Sequence, residues 1–188
     1  MAKAEYRSAI RSRKLIHAAF ADLLIEKPLE KITVTDIVNR AQINRGTFYA
    51  HYADIPDVVN HLIQQTFSSL KEAIDLPSSS PADIAHAILK QVQDILESDM
   101  VFYQKIMSSG VTTLMAEQLA GIVIDYLLEN KDALFHDDRA QYELAIRFCA
   151  GGLTKLYRDW FSGIISCSLN DLTQMGEKML LGVISDLG

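Results

Sequence analysis

Apolar residues recur every three or four positions along almost the whole chain, as Ile16 and Phe20 do near the start and Val58 and Leu62 do further on. This spacing places apolar side chains on one face of an α-helix. No stretch shows four or more clean alternations of apolar and polar residues between turn residues, so the pattern predicts no strands. We therefore expect an all-α chain of about nine helices.

Prolines and helix caps set the expected boundaries of these helices. The residue before a proline is pushed out of the helical conformation, so Pro28 ends the first helix. Thr33 and Asp36 stand at capping-box spacing, and Asn44 is a favoured N-cap for a short third helix. The predicted helices cover residues 4–26, 33–41, 45–52, 54–76, 80–98, 99–108, 112–130, 137–162 and 169–187.

The charge is divided unevenly along the 188 residues, of which 49% are hydrophobic and 22% charged. The net charge is −6, but residues 1–52 hold nine Lys and Arg against five Asp and Glu, so they carry +4 and the remainder carries −10. A basic head on an acidic body is typical of a protein that meets a polyanion at one end. A solvated basic helix face gives the same pattern, so charge alone leaves both interpretations open.

The sequence favours a reduced, cytoplasmic setting without a metal or cofactor. Cys149 and Cys167 form neither a disulfide framework nor a C-x-x-C pair. No apolar run has the length of a bilayer span, and no signal peptide pattern is visible. No G-x-S-x-G, phosphate-binding loop or H-E-x-x-H motif occurs, so we expect a protein that is not an enzyme.

The most informative pattern lies in residues 32–52. Two short helices are joined by the tight connection 41–43, and Phe48 is the apolar residue that anchors the second helix. The other positions of this helix are small or polar, and Gly46 is a poor helix former that permits close approach to another surface. The DNA major groove accepts one α-helix, and hydroxyl, guanidinium and imidazole groups bond phosphates and base edges. The pattern therefore predicts a helix that contacts DNA.

The stretch ITVTDIVNRAQINRGTFYAHYADIPDVV resembles the helix-turn-helix of the tetracycline-repressor (TetR) family of transcription regulators. The matching features are a leading basic helix, the step T-x-x-x-I-V-x-x-A from Thr33 to Ala41, and the run G-T-F-Y-x-H-Y from Gly46 to Tyr52. The match covers residues 9–65, and the segment from Gly151 to Trp160 resembles a motif in the penultimate helix of one subgroup.

The resemblance implies a TetR-like fold with two domains. An N-terminal three-helix helix-turn-helix domain is expected over residues 8–68, and a C-terminal helical ligand-binding and dimerisation domain over residues 69–188. The DNA-binding residues carried over from the family are Thr33, Thr35, Tyr49 and His51 for phosphates, Arg45, Gly46 and Thr47 for base edges, and Asn44 beside them.

One family feature is missing at the start of the fourth helix. Many members carry a lysine there, whereas the stretch 53–57 has none and contains Asp54 and Asp57. Either the amino end of the helix itself takes over this phosphate contact, or the contact is lost and arginines of the first helix compensate for it.

The C-terminal body has two expected roles, dimerisation and sensing. Its last two long helices are the natural dimer surface, although the same residues would also suit a monomer core. The predicted interface residues are Gly151, Gly152, Lys155, Met175, Met179 and Val183. An aromatic and methionine-rich set forms either an apolar effector pocket or ordinary core. The predicted pocket residues are Phe102, Tyr103, Met107, Met115, Tyr126, Arg147, Tyr157, Trp160 and Phe161.

Together these patterns predict a homodimeric repressor that binds an inverted-repeat operator in double-stranded DNA. In the usual mechanism of the family, a small-molecule effector binds the body and releases the DNA. The alternative is an accessory regulator of the same fold that acts as a co-activator through a protein partner. A helical small-molecule carrier or enzyme is the third class.

Overall fold

The computed structural model describes residues 2–75, 80–109, 112–130 and 139–185, and within these ranges the chain contains helices and no strands. The all-α prediction is therefore confirmed. A short 3-10 turn, Leu29–Lys31, separates the first two helices. The helices are α1 Ala2–Glu26, α2 Val34–Ala41, α3 Arg45–Tyr49, α4 Ile55–Ile74, α5 Pro81–Ser98, α6 Met100–Ser108, α7 Thr112–Asn130, α8 Arg139–Phe161 and α9 Leu169–Ser185.

The third helix is shorter than the sequence predicts. It ends at Tyr49, whereas the apolar pattern extends it to Tyr52. The backbone N–H groups of His51 and Tyr52 both bond to the carbonyl oxygen of Phe48, which closes a tight turn after the helix. The predicted end of the fourth helix at 76 and the predicted start of the eighth at 137 lie outside the described residues.

The turn between α2 and α3 is made by a residue in the left-handed conformation. Gln42 has φ 52° and ψ 45°, and the backbone N–H of Ile43 bonds to the carbonyl oxygen of Val38 at 3.0 Å. This αL cap ends α2 abruptly, as such caps do elsewhere. Only residues 42–44 then separate α2 from α3, which is the tight connection that the helix-turn-helix prediction requires.

The first compact unit contains Met1–Leu62 together with Val101–Thr113. Helix α1 packs against α2 and α3, and α2 packs against α3. The side chains at the centre of this unit are fully buried; they are Ile16, Phe20, Ile37, Phe48 and Val58. Each comes from an apolar stripe, so burial of the helix faces holds the unit together.

The second compact unit contains Ile63–Met100 and Leu114–Gly188. Here α9 packs against both α5 and α8. Ile74, Ile84 and Leu127 form a buried cluster. A methyl group at Gly176 would lie 2.9 Å from Leu153 Cδ2, so the absence of a side chain there permits the close contact between α9 and α8.

The two units do not coincide with the predicted domains. They divide the chain inside α4 and assign residues 101–113 to the first unit. The predicted domain boundary between residues 68 and 69 stays a prediction. Among the described residues, no single helix has the length and apolarity that a membrane span needs. One pair, Met100–Ser108 and Thr113–Asn130, reaches that length and composition only when its two helices are taken together.

Candidate nucleic-acid interface

Helix α3 has one anchored side and one open side. Phe48 is fully buried, whereas Asn44, Arg45 and Gly46 are exposed. The Tyr49 side chain is 54% exposed, and its ring packs edge-on against Phe48 with 5.6 Å between the ring centroids. The helix is therefore held by a single large apolar side chain, and its polar groups remain accessible to a partner.

The start of α3 is organised by Asn44. Its Oδ1 accepts hydrogen bonds from the backbone N–H of Thr47 at 2.7 Å and from Thr47 Oγ1 at 3.1 Å. A methyl group at Gly46 would lie 3.2 Å from the same oxygen. Asn44 thus acts as the predicted N-cap. It lies directly before Arg45, Gly46 and Thr47, the residues expected to meet base edges.

Arg45 is bonded to the neighbouring helix. Its Nη2 donates a hydrogen bond to Thr35 Oγ1 at 2.7 Å, and both residues are exposed. The structure therefore brings together one residue predicted to read bases and one predicted to contact a phosphate.

Thr33 is used inside the protein as the N-cap of α2. Its Oγ1 accepts from the backbone N–H of Asp36 at 3.2 Å, and Asp36 Oδ2 accepts from the backbone N–H of Thr33 at 2.8 Å. Lys27 Nζ lies 2.7 Å from the same carboxylate. The Lys27 hydrogen bond, together with those from Thr33, lowers the pKa of Asp36 to about 2. Asp36 is consequently a fixed anion that orders the start of α2.

His51 connects the end of the helix-turn-helix to α1. A hydrogen bond of 2.6 Å joins its Nε2 to Ser12 Oγ. Burial and the charge of Arg13 lower the pKa of His51 and so favour its neutral imidazole. The phosphate contact expected of His51 stays a prediction.

A second histidine, His17, lies deeper in the same unit. Its Nε2 and Tyr52 Oη form a hydrogen bond of 2.8 Å, and its ring centroid is 6.2 Å from that of His61. Burial, followed by the nearby His61, Arg13 and His51, lowers the pKa of His17 to about 4. Within the described residues, no group of three or more His, Cys, Asp or Glu side chains is arranged to hold a metal ion.

This cluster predicts that the protein loses stability in mild acid. Because the folded chain binds a proton at His17 less readily than the unfolded chain, the free energy of unfolding falls as the pH drops from 6.5 towards about 4. Between pH 7.5 and pH 5 we expect a loss of about 2 kcal/mol, measured by urea unfolding. Asp36 contributes to the pH dependence only below about pH 4, so it does not act in this window.

The control for this prediction is His17→Phe. This variant removes the titrating group and should show a clearly smaller difference between the two pH values, whatever its absolute stability. A wild-type chain with equal free energies of unfolding at pH 7.5 and pH 5 would contradict the assignment.

The start of α4 carries carboxylates in place of the family's lysine. Asp54 Oδ1 accepts from the backbone N–H of Asp57, and Asp57 Oδ2 accepts from the backbone N–H of Ala53, both at 2.8 Å. These side chains already satisfy two backbone donors at the helix start and add negative charge there. Which of the two alternatives from the sequence applies, a phosphate contact by the amino end of α4 or its loss, stays a prediction.

Neutralising this acidic start should strengthen DNA binding. Asp54→Asn keeps an oxygen that can accept from Asp57, removes one negative charge, and should raise duplex affinity about two- to fivefold at low salt. The matched control is Asp83→Asn, which removes a capping acid from the start of α5. Titration of a labelled duplex at two salt concentrations measures both, and an unchanged or weaker affinity of the Asp54 variant would contradict the prediction.

Several contacts of the first unit have no local sequence signal. Lys105 Nζ on α6 donates to Asp22 Oδ1 on α1 at 2.5 Å. Arg40 on α2 donates through Nη2 to both carboxylate oxygens of Glu26, at 2.8 and 2.9 Å. Helix α6 is thus tied to α1, which is in turn tied to α2 of the candidate interface. The sequence showed these charged residues but not their pairing.

The residues predicted to line an effector pocket are divided between the two units. Phe102, Tyr103 and Met107 lie on α6 in the first unit, and the other six lie in the second. Four of those six use polar atoms in contacts within the chain: Tyr126 with Asp75, Arg147 with Glu143, Tyr157 with Thr173, and Trp160 with the carbonyl of Cys167. The pocket therefore stays a prediction.

The predicted dimer residues lie on an exposed apolar face of α8 and α9. Phe148 is 75% exposed and Leu144 is 70% exposed, and on α9 Met175 and Met179 are each more than half exposed. Gly151, Gly152 and Lys155 are also exposed, and Val183 is partly buried. A methyl group at either Gly151 or Gly152 would meet nothing within 4 Å. We call these residues of α8 and α9 the α8/α9 face.

Comparison with known proteins identifies the amino-terminal part. Residues 15–62 match the family of bacterial regulatory proteins described as the tetR family. The chain is 34% identical over 74 residues to the uncharacterized HTH-type transcriptional regulator YxbF of Bacillus subtilis (strain 168). These 74 residues make up 39% of this chain and 20% of that protein. The chain is 27% identical over 100 residues to the HTH-type dhaKLM operon transcriptional activator DhaS of Lactococcus lactis subsp. lactis (strain IL1403), covering 53% of this chain and 51% of that protein.

The matched region thus spans about one fifth of the first relative's length and about half of the second's. Solved structures extend the likeness to most of the chain. The fatty acid degradation regulator FadR from Bacillus halodurans has a TM-score of 0.65 at 15% identity, covering 91% of this chain and 95% of that one. The dihydroxyacetone kinase operon activator DhaS has a TM-score of 0.60 at 22% identity, covering 93% and 97%. At these identities the likeness concerns the fold, and it confirms the TetR-like architecture.

Proposed function

We propose that the chain is a DNA-binding transcription regulator of the tetR family of bacterial regulatory proteins, which residues 15–62 match, and that it binds an inverted-repeat operator as a homodimer. The observation that carries the proposal is the two-sided character of α3. Phe48 is buried in the core and anchors the helix, while Arg45 and Tyr49 are exposed. A helix held in this way on a basic head suits insertion into the major groove.

The roles that we propose within the interface follow the geometry. Arg45, Gly46 and Thr47 meet base edges, and Tyr49 contacts a phosphate through its exposed phenol. Asn44 supports these residues by capping the helix. Thr33 caps the start of α2 and so fixes the position of that helix beside α3.

The α8/α9 face is the proposed dimer interface. Large apolar side chains that remain exposed in a single chain favour burial against a partner. The open space above Gly151 and Gly152 shows that this chain alone does not require glycine there, whereas a closely approaching second copy would. A twofold pairing of two helices from each chain gives a four-helix interface.

We also propose that a small-molecule effector changes the DNA affinity through α6. A displacement of α6 would act on the bond from Lys105 to Asp22 and on the contact of Phe102 with His17, whose ring centroids are 6.3 Å apart. Both contacts join α6 to α1, so they provide a physical connection to the DNA-binding head. A compound that raises the thermal midpoint of the chain and weakens duplex binding is the expected effector, and Lys105→Met should reduce its effect.

A regulator that activates transcription is the second candidate. The observation in its favour is the similarity to DhaS, which is described as an operon activator. The acidic start of α4 is a further difference from the usual phosphate contact. Deletion of the gene separates the candidates, because target transcripts rise when a repressor is lost and fall when an activator is lost.

The test of DNA binding is selection of bound duplexes from a random pool. We expect an enriched inverted repeat, and an affinity for it that falls steeply as salt is raised, because phosphate contacts release counterions. Arg45→Ala should lose the preference for the enriched site, Tyr49→Ala should weaken binding to it, and both variants should remain folded. Absence of any enriched sequence would refute the proposal, and unchanged binding by both variants would refute the assignment of the residues.

A further inference from the structure

The bond between Arg45 and Thr35 joins the two helices of the helix-turn-helix across ten positions of sequence. Arg45 Nη2 donates to Thr35 Oγ1 at 2.7 Å. An exposed arginine side chain has many rotamers and loses this freedom when it binds. A bond that holds the guanidinium before DNA arrives therefore reduces the entropic cost of binding.

The bond leaves most of the guanidinium available. The group has five N–H donors in a planar fork, and Thr35 accepts one of them. An edge with two parallel donors is still free, which is the arrangement that pairs with O6 and N7 of guanine in the major groove. The hydroxyl therefore orients the fork without using its base-reading edge.

A second arginine of the same motif shows the contrast. Arg40 is held by both oxygens of the Glu26 carboxylate, at 2.8 and 2.9 Å. Arg45 has no carboxylate partner within the described part of the chain, and its contact there is with a neutral hydroxyl. The positive charge of Arg45 is thus not neutralised by a carboxylate within the described residues, while the Thr35 hydroxyl orients its guanidinium.

We propose that Thr35 is a positioning residue for Arg45, and that the pair specifies a guanine in each half-site of the operator. Thr35 then acts through Arg45 and not as a phosphate contact of its own, the role expected from the family resemblance. This inference rests on the proposed DNA-binding function and adds to it the base that is recognised and the residue that orients its reader.

The test is a double-mutant cycle on the selected operator, with Thr35→Val, Arg45→Ala and the double variant. Valine has nearly the shape of threonine and lacks the hydroxyl. Arg45→Ala should abolish the preference for guanine at one position of each half-site, a change of about 5- to 100-fold. Thr35→Val should weaken the preference at that same position about three- to tenfold, and should weaken the affinity for unrelated duplexes much less than that.

Two further results distinguish positioning from an independent contact. In the Arg45→Ala background, Thr35→Val should have no further effect, because the group it orients is absent. Thr35→Ser retains the hydroxyl and should restore the preference to within about twofold of the wild-type value. The thermal midpoints of all variants identify any that fail to fold. If Thr35→Val fails to fold, the guanine preference of Thr35→Ser is compared with that of the wild type instead.

An equal loss on all duplexes that persists in the Arg45→Ala background would overturn the inference, since that is the behaviour of a phosphate contact. This inference alone would be overturned if the wild-type chain enriches an inverted repeat and Thr35→Val does not change the guanine preference that depends on Arg45. A wild-type chain that enriches no sequence would overturn the proposed function and this inference together.

Discussion

Replacing Phe148 by glutamate is expected to convert the protein from a dimer to a monomer and to weaken operator binding at least about 100-fold. The Phe148 side chain is 75% exposed in the single chain, on the face where we place the second copy. A carboxylate introduced there would be buried without a partner, and the twofold symmetry would introduce it twice. Sedimentation equilibrium measures the oligomeric state, and titration of the selected operator measures the affinity.

The matched control is Ile164→Glu. Ile164 is 74% exposed, nearly as much as Phe148, but it lies in the connection between α8 and α9 and outside the α8/α9 face. This variant should remain dimeric and bind the operator as the wild type does. A Phe148→Glu chain that is still dimeric at the same concentration, with unaltered affinity, would show that the subunits associate elsewhere.

Replacing Phe48 by alanine should lower the free energy of unfolding by about 3–5 kcal/mol. Phe48 is fully buried and is the one large apolar anchor of a helix of five residues. A short helix has little stability of its own, so the loss of its anchor releases α3 from α1 and α2. Urea unfolding followed by circular dichroism measures the change, which is a large fraction of the stability of a typical domain.

The neighbouring residue provides the comparison. Tyr49→Ala removes a side chain that is 54% exposed, so it should cost less than about 1 kcal/mol of stability and yet weaken operator binding about tenfold or more. The two variants thus separate the side of α3 that stabilises the head from the side that meets DNA. Equal stability losses in both, or full operator affinity in Tyr49→Ala, would refute that division.

The helix boundaries of the head follow from local signals, which explains why the sequence predicts them well. Asn44 caps α3, and Thr33 with Asp36 caps α2, each through side chains within three residues of the backbone groups that they satisfy. Such caps depend on neighbouring residues alone. The end of α3 was less predictable, because the apolar pattern extends to Tyr52 while Tyr52 packs in the core from a turn and not from a helix.

Contacts between distant residues carry no comparable signal. Ser12 and His51 are 39 positions apart, and Lys105 and Asp22 are 83 positions apart. Serine and aspartate are common on exposed helix faces, so neither residue type indicates its partner. The bond between Thr35 and Arg45 was missed for the same reason, although both residues were expected in the interface.

The location of α3 in DNA is tested most directly by attaching a DNA-cleaving iron chelate to a thiol at its end. The chain needs Ala50→Cys at an exposed position after Tyr49, with the free thiols removed by Cys149→Ala and Cys167→Ser. A control chain carries Gln174→Cys, an exposed position on α9, in place of Ala50→Cys. The account predicts cleavage in the major groove of both operator half-sites, one helical turn of about 10 base pairs or a multiple of it apart. Cleavage confined to the minor groove, or identical to that of the control chain, would contradict it.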